Sequence, residues 1–177
     1  MHERFAMTAP AGTASDSPPE DFPPEIVGLL DRADAICARR GARLTSLRRL
    51  VLGLILQGDG PTGAYDLLDR LKARRPAAAP PTVYRALEFL LAQGLIHRVE
   101  RLSAFVGCVA HSDHDHAAQF LICRGCGRVT ELEDAGVERA LQAAARRAGF
   151  HIQGATVEAE GHCAGCGSQP APGIQPA

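Results

Sequence analysis

Apolar side chains recur with the helical period of about 3.6 residues over much of the first half of the chain. One run starts at Pro24 and ends at Gly41. Its apolar face consists of Ile26, Leu29, Leu30, Ala33, Ile36 and Cys37. Three more runs follow: Thr45 to Gln57, Gly63 to about Arg74, and Pro81 or Thr82 to Gly94, with Thr45 and Thr62 as candidate N-caps. The pattern therefore predicts four helices before Leu95.

The period then changes to two. Leu95 to Val99 and Ser103 to Cys108 alternate as two short strands that are joined around Arg101 and Leu102. Three helices followed by a β-hairpin, here with one extra helix in front, is the arrangement of a winged-helix DNA-binding domain.

The helix before the hairpin is the one that usually enters the DNA major groove in such a domain. It places Thr82, Tyr84 and Arg85 on the side away from its leucines. Because a guanidinium group matches a guanine edge or a phosphate, Arg85 is the first candidate for DNA contact. A simple ion pair between Arg85 and Glu88 on an exposed face is the alternative.

The second half of the chain predicts a smaller mixed unit. Two paired strands are predicted at Gln119 to Ile122 and Arg128 to Leu132. An alanine-rich helix follows, with Asp134 as its N-cap and its end at about Gly149. The pattern then predicts a β-like run from Phe150 to Glu160. The sequence therefore predicts an α+β protein of two domains.

Composition and charge are those of a globular protein with an uneven charge distribution. Of the 177 residues 46% are hydrophobic, and the formal net charge is −1. From Glu25 to Leu102, however, 13 basic residues face 8 acidic ones, which favours a polyanionic partner for the first domain. No apolar run reaches the roughly 18 residues of a membrane span, and the first residues do not resemble a secretion signal. We expect a cytoplasmic protein, in which six cysteines are more typical of metal ligands than of disulfides.

Four of these cysteines form two Cys-x-x-Cys pairs in glycine-containing turns. The pairs are Cys123 with Cys126 and Cys163 with Cys166. Four thiolates at this spacing are typical of a structural zinc site. A thiol–disulfide redox pair would need a βαβ setting that is missing here.

A second candidate set consists of His97, Cys108, His116 and Glu131. His97 and Cys108 lie at the outer ends of the predicted hairpin, where antiparallel pairing brings them together. One thiolate, two imidazoles and a carboxylate suit Zn(II) better than Fe(II). The remaining histidines of this stretch, His111 and His114, either form a further metal site or are solvated.

From about Ile26 to Cys166 the sequence resembles the ferric uptake regulator family, and within it most closely the zinc uptake regulators. The motifs that carry the resemblance are RLTSLRRLVL, GAYDLLDRL, PPTVYRALEFLLAQGLIHRVE, FLICRGCGRVTEL and the final CAGC. The resemblance implies a homodimeric DNA-binding repressor with an N-terminal winged-helix domain and a C-terminal α/β dimerisation domain. It implies structural zinc at Cys123, Cys126, Cys163 and Cys166 and regulatory zinc at His97, Cys108, His116 and Glu131.

The resemblance places DNA contacts on Tyr65 and Arg85. Many family members have Thr-Pro-Gln-Arg where this chain has Thr45 to Arg48, so we expect a contact from that turn to differ, while Arg48 remains a candidate for phosphate contact. The family's His-His-Asp-His before the first cysteine pair is also missing, because the histidines lie further upstream. Together with Cys108, this departure favours zinc over iron.

These patterns and the resemblance divide the chain into five predicted segments. They are a disordered tail at 1–23, a winged-helix domain at 24–102, a hinge with metal ligands at 103–117, a dimerisation domain at 118–167 and a disordered tail at 168–177.

We therefore expect a zinc-responsive repressor of zinc-uptake genes whose partners are palindromic double-stranded operator DNA and a second copy of the chain, without a membrane or small-molecule substrate. An enzyme is disfavoured, because four candidate protein ligands per site leave no position for a reactive water. The alternatives are a regulator of the same family that responds to iron or another metal, and a metal-binding protein without DNA activity. A metal-binding protein without DNA activity would leave the winged-helix pattern unexplained.

Overall fold

The computed structural model describes residues 22–108 and 118–167. These residues form five α-helices and two three-stranded sheets. In chain order the elements are α1 (Pro24–Arg39), α2 (Ser46–Leu56), β1 (Thr62–Gly63), α3 (Ala64–Arg74), α4 (Pro80–Ala92), β2 (Ile96–Val99), a 3-10 turn (Glu100–Leu102), β3 (Ala104–Gly107), β4 (Ala118–Cys123), β5 (Val129–Glu131), α5 (Ala135–Arg147) and β6 (Thr156–Gly161). The α+β class and the winged-helix order predicted from the sequence are confirmed.

The first module, residues 22–108, packs four helices against the sheet β1-β3-β2. The leucines of the amphipathic pattern form its core, and Leu30, Leu67 and Leu90 are completely buried. The hairpin β2–β3 is antiparallel, with His97 opposite Val106. This module has a hydrophobic core of its own, which is what an independent winged-helix unit requires.

Two local predictions for this module are wrong. Thr62 does not cap α3 with its side chain; it forms a two-residue strand with Gly63, and its backbone pairs with Phe105 in β3. Phe22, which the predicted tail included, is 8% exposed and packs against Gly53 of α2. Both errors arise because the interactions are with residues distant in sequence.

The second module, residues 118–167, has the sheet order β5-β4-β6. β4 pairs antiparallel with β5 and parallel with β6, and α5 lies in the crossover between β5 and β6. The predicted β-like run from Phe150 is shorter in the structure, since β6 begins at Thr156.

The inner face of the second sheet lies against the first module. Ala118, Phe120 and Ile122 alternate along β4 and are buried with Val99 at the end of β2. Because alternate residues of a strand share one face, this contact also fixes which β4 residues face away from the first module.

Apart from Phe22, the domain boundaries drawn from the sequence remain a prediction, and residues 1–21, 109–117 and 168–177 lie outside the described ranges. Within those ranges, no helix combines the length and the apolar character that crossing a bilayer demands.

A Gly53→Ala variant should be less stable, by about 1 to 3 kcal/mol, because the added methyl group would overlap the Phe22 ring. Gly28→Ala is the matched control, since a Cβ at Gly28 meets nothing within 4 Å and alanine improves helix stability by up to about 1 kcal/mol. Urea unfolding midpoints at fixed protein and zinc concentrations test the pair. An equal rise in both midpoints would contradict the Phe22 packing.

Candidate metal centres and nucleic-acid interface

Two tight turns bring four cysteines of the second module together. Cys123 ends β4, Cys126 lies in the turn toward β5, and Cys163 and Cys166 follow β6. Their sulfur atoms all lie within 4.8 Å of one another. The structure therefore assembles the four-cysteine cluster that the spacing predicted.

The spacing of these sulfurs fits zinc. Cys126 Sγ and Cys163 Sγ are 3.8 Å apart, and thiolates about 2.3 Å from a shared tetrahedral zinc ion stand roughly 3.8 Å apart. All six cysteines of the described residues are free thiols rather than disulfides. The donor set and its geometry therefore suit a structural zinc ion.

The cluster is electrostatically prepared for a cation. The backbone N–H of Cys163 donates to Cys123 Sγ at 3.3 Å and, with N–H groups of the first turn, holds the pKa of Cys123 well below the usual value for a thiol. The pKa of Cys166 is raised instead, because its thiol shares hydrogen bonds with Cys126 and the other cysteines. The Cys123 sulfur is thus favoured as a thiolate, while Cys166 keeps a proton that a metal can replace.

The second centre lies where the two modules meet. His97 comes from β2, Cys108 follows β3, and Glu131 ends β5. Cys108 Sγ is 3.6 Å from Glu131 Oε1, and His97 Nε2 is 3.9 Å from the same oxygen. We call these three residues the mixed site.

Hairpin register explains how the first module contributes two of the donors. His97 pairs with Val106, and the Cys108 N–H donates to the carbonyl of Leu95 at 2.9 Å, so both donors lie at the open end of the hairpin. Glu131 reaches this point because β5 pairs with β4, whose inner face packs on the same hairpin. The His97 ring meets Phe120 edge-on, with centroids 5.9 Å apart.

Burial and negative charge control Cys108. The residue is 1% exposed. Desolvation, followed by the nearby carboxylate of Glu131, raises the pKa of Cys108 to about 12, and Glu133 contributes in the same direction. Glu133 was not recognised in the sequence analysis, although its position two residues after Glu131 was a usable signal.

The mixed site also fits zinc. Donors bound about 2.0 to 2.3 Å from one tetrahedral zinc ion stand roughly 3.3 to 3.8 Å apart, close to the two observed separations. A thiolate, an imidazole and a carboxylate are all zinc ligands. The predicted fourth ligand, His116, lies outside the described residues, as do His111 and His114.

The predicted DNA-contact residues lie on the first module. Tyr65 at the start of α3 is 73% exposed, and on α4 Tyr84 and Arg85 are exposed while Thr82 is partly buried. Among the described residues Arg85 forms no ion pair with Glu88, so the alternative interpretation of Arg85 finds no support. The face of α4 that carries Arg85 is opposite the buried Val83 and Leu87.

Arg48 is held in a defined position. Its guanidinium lies over the Phe89 ring at 3.5 Å from the centroid, and it donates to the Arg43 carbonyl at 2.8 Å. A stacked guanidinium with remaining N–H groups is suited to phosphate contact.

The comparisons with known proteins agree with one another. Residues 39–160 match the Ferric uptake regulator family. The chain is 45% identical over 138 residues to the zinc uptake regulation protein of Escherichia coli (strain K12), across 78% of this chain and 81% of that protein. It is 31% identical over 131 residues to the zinc uptake regulation protein of Mycobacterium tuberculosis (strain H37Rv), across 72% and 97%.

The chain is also similar to solved structures of zinc uptake regulators. A zinc uptake regulator complexed with zinc and DNA has a TM-score of 0.75 at 44% identity, covering 79% of this chain and 93% of that one. The holo form of XcZur has a TM-score of 0.71 at 43% identity, covering 78% and 96%.

The zinc dissociation constant of the mixed site should rise roughly tenfold for each unit by which the pH falls between about 8.5 and 7. This factor counts only the proton that Cys108 releases. The sign follows from its pKa of about 12: the thiol is protonated throughout this range, so coordination releases one proton. Competition with a chelating dye, after the four-cysteine site is filled, measures the slope. Cys37→Ala, which removes a buried thiol of α1 outside both centres, should keep the slope, whereas a pH-independent affinity would contradict the assignment of Cys108.

Proposed function

The chain belongs to the ferric uptake regulator family, and we propose that it is a zinc-responsive transcriptional repressor. It binds palindromic operator DNA as a zinc-loaded homodimer and represses zinc-uptake genes. The observation that carries the proposal is the mixed site, in which His97 and Cys108 of the first module meet Glu131 of the second. A metal at that point links the DNA-binding unit to the rest of the molecule.

Each subunit holds two zinc ions in this proposal. The structural ion binds Cys123, Cys126, Cys163 and Cys166, and the regulatory ion binds His97, Cys108, Glu131 and, as the fourth ligand, His116. A bound regulatory zinc ion would take the place of the Cys108 proton and neutralise the thiolate that forms beside the Glu131 carboxylate. The protein's own part is to hold His97 and Cys108 on a rigid hairpin and Glu131 on the opposing sheet.

Selectivity for zinc follows from the donor set. Cys108 is buried and supplies the thiolate of this site, beside the imidazole of His97 and the carboxylate of Glu131. A thiolate favours zinc over iron(II), which His and carboxylate sites accommodate more readily. Regulation by iron is therefore the weaker candidate.

Metal occupancy controls DNA binding by selecting an orientation of the first module. Two recognition helices fit a palindromic operator only at a fixed spacing and direction. The donors belong to two modules, so a bound metal favours the orientation of the modules in which the donors converge. The size of this shift equals the difference in the free energy of metal binding between the orientations. Tyr65, Thr82, Tyr84, Arg85 and Arg48 are the proposed DNA contacts.

The second module supports the homodimer, because part of its apolar surface is left uncovered. No residue of α5 is buried, although Val137 and Leu141 lie on one side of that helix. Leu121 on the outer face of β4 is 46% exposed, and Phe150 after α5 is 67% exposed. An uncovered apolar helix and sheet face in a small domain indicates an interface with another chain.

We assign the protein no catalytic role and place it in the cytoplasm. Ferric uptake regulators act on transcription, and a fourth ligand at the mixed site leaves no open coordination position for a reacting water. A reducing compartment keeps the cysteines available as metal ligands.

Cys108→Ser should require much higher free zinc for DNA binding while the protein remains a folded dimer with its structural zinc. The reason is that the hydroxyl of serine is a poor zinc ligand, and Cys108 contributes nothing to the four-cysteine cluster. Fluorescence anisotropy of operator DNA at buffered zinc, with light scattering for the dimer, measures both. Cys37→Ala is the control, and an unchanged zinc dependence of Cys108→Ser would remove Cys108 from the regulatory site.

Arg85→Ala should cost about 1 to 3 kcal/mol of operator binding and relax sequence preference, because a guanidinium that reads a base gives discrimination as well as affinity. Arg48→Ala is the comparison, since loss of a phosphate contact weakens all DNA sequences alike and lowers the salt dependence. Titrations of operator and scrambled DNA at two salt concentrations separate the effects. Normal operator affinity of Arg85→Ala would refute its proposed contact.

A further inference from the structure

Two carboxylates of β6 reach across the junction between the modules. Glu158 Oε1 accepts a hydrogen bond from the backbone N–H of Glu100 at 2.6 Å, and its Oε2 accepts from the N–H of Arg101 at 3.1 Å. One side chain of the second module thus holds both N–H groups at the start of the 3-10 turn between β2 and β3.

Glu160, the next residue of β6 on the same face as Glu158, also contacts the first module. Glu160 forms an ion pair with the guanidinium of Arg101, and its other oxygen is 3.6 Å from Arg124 of its own module. The Glu160 side chain is only 30% exposed. Glu158 and Glu160 are paired in register with Phe120 and Ile122 on the inner face of the sheet.

Acidic residues at these positions are unusual, since their β4 neighbours on the same face are buried and apolar. An apolar pattern would be expected if β6 only covered the first module. Carboxylates are accommodated here because backbone N–H groups and a guanidinium meet them with charge-assisted hydrogen bonds.

The contacts lie along the strand that carries a metal ligand. On β2, His97 enters the mixed site and Val99 packs on β4, and Glu100 and Arg101 then meet β6. The junction therefore has the mixed site at one end and the carboxylates at the other. None of the groups at the carboxylate end is a metal ligand.

We propose that Glu158 and Glu160 are positioning residues that form, with Glu100 and Arg101, a zinc-independent clasp between the modules. The clasp holds the first module close to the orientation in which His97, Cys108 and Glu131 converge, before any metal binds. This inference deepens the proposed function and rests on it for its link to DNA binding. Its effect on zinc affinity is independent of DNA.

The clasp acts through the population of the competent orientation. When only a fraction of a protein is competent to bind, the apparent dissociation constant is the intrinsic one divided by that fraction. Loss of the clasp lowers the fraction without altering a ligand. Zinc at high concentration restores the orientation, which distinguishes a positioning role from a general loss of structure.

The test uses Glu158→Gln in the full-length dimer with the structural zinc already bound. The amide can accept at one oxygen but presents an NH₂ group to the other backbone N–H. We expect the free zinc that half-saturates the mixed site to rise roughly three- to tenfold, with the four-cysteine site retained and operator affinity at saturating zinc within about twofold of wild type. Glu25→Gln, the same isosteric change at the start of α1, should change neither.

A second pair of variants separates the cross-module contact from a charge effect. Arg101→Gln and Arg124→Gln each remove one positive charge and one partner of Glu160, but only Arg101 belongs to the first module. Arg101→Gln should raise the zinc requirement and Arg124→Gln should not. Zinc competition without DNA gives this readout.

Two results would overturn the clasp: wild-type zinc affinity of Glu158→Gln and Arg101→Gln, or a loss of operator binding that saturating zinc does not restore. A wild-type protein that binds zinc at the mixed site but shows no zinc-dependent DNA binding would instead refute the proposed function. In that case the DNA-free zinc titrations still decide whether the clasp exists.

Discussion

The buried thiol of Cys108, beside the carboxylate of Glu131 and within 4.8 Å of the imidazole of His97, is the constraint on which the connection between the two modules depends. Burial beside a carboxylate raises its pKa to about 12, so without a cation the group persists as a neutral thiol. A metal that binds there must displace that proton and neutralise the charge of two adjacent anionic donors. Only a metal with affinity for thiolate does so at neutral pH. Burial therefore keeps the thiol neutral when no metal is bound and restricts filling of the site to metals that bind thiolate strongly.

We propose that this chemistry affects DNA binding because the donors belong to different modules. The first module has a complete core, whereas the second has a cluster of four buried residues, one of which, Val99, belongs to the first module. Small polar interfaces within a chain permit relative motion. Contacts between the modules among the described residues include the mixed site, Val99 on β4 and the carboxylates of β6, and we propose that they set the orientation of α4. A second copy of the chain that packs on α5 would hold the second module in place, so that these contacts could orient the first module against it.

Local rules predicted most of the fold. Helical periodicity located the four helices of the first module, and a change to period two located the hairpin. The Cys-x-x-Cys spacing predicted a cluster that the structure assembles, because each pair forms within one tight turn. The sequence failed where distant backbone meets: β1 exists only because Thr62 pairs with Phe105, and Phe22 is ordered by α2. The mixed site was predictable through hairpin register and family resemblance, whereas Glu158 was missed, since its partners are backbone N–H groups that carry no sequence signal.

Zinc control of DNA binding is tested most directly by measuring operator binding at buffered free metal concentrations. The operator is first obtained by selection from random sequences at saturating zinc. Fluorescence anisotropy would be measured with Zn(II), Fe(II) and Mn(II) in parallel. We expect a dimer whose DNA affinity rises steeply at low free Zn(II) and responds to Fe(II) or Mn(II) only at much higher concentrations. Equal DNA affinity with and without zinc, in a folded dimer that retains its structural zinc, would contradict it.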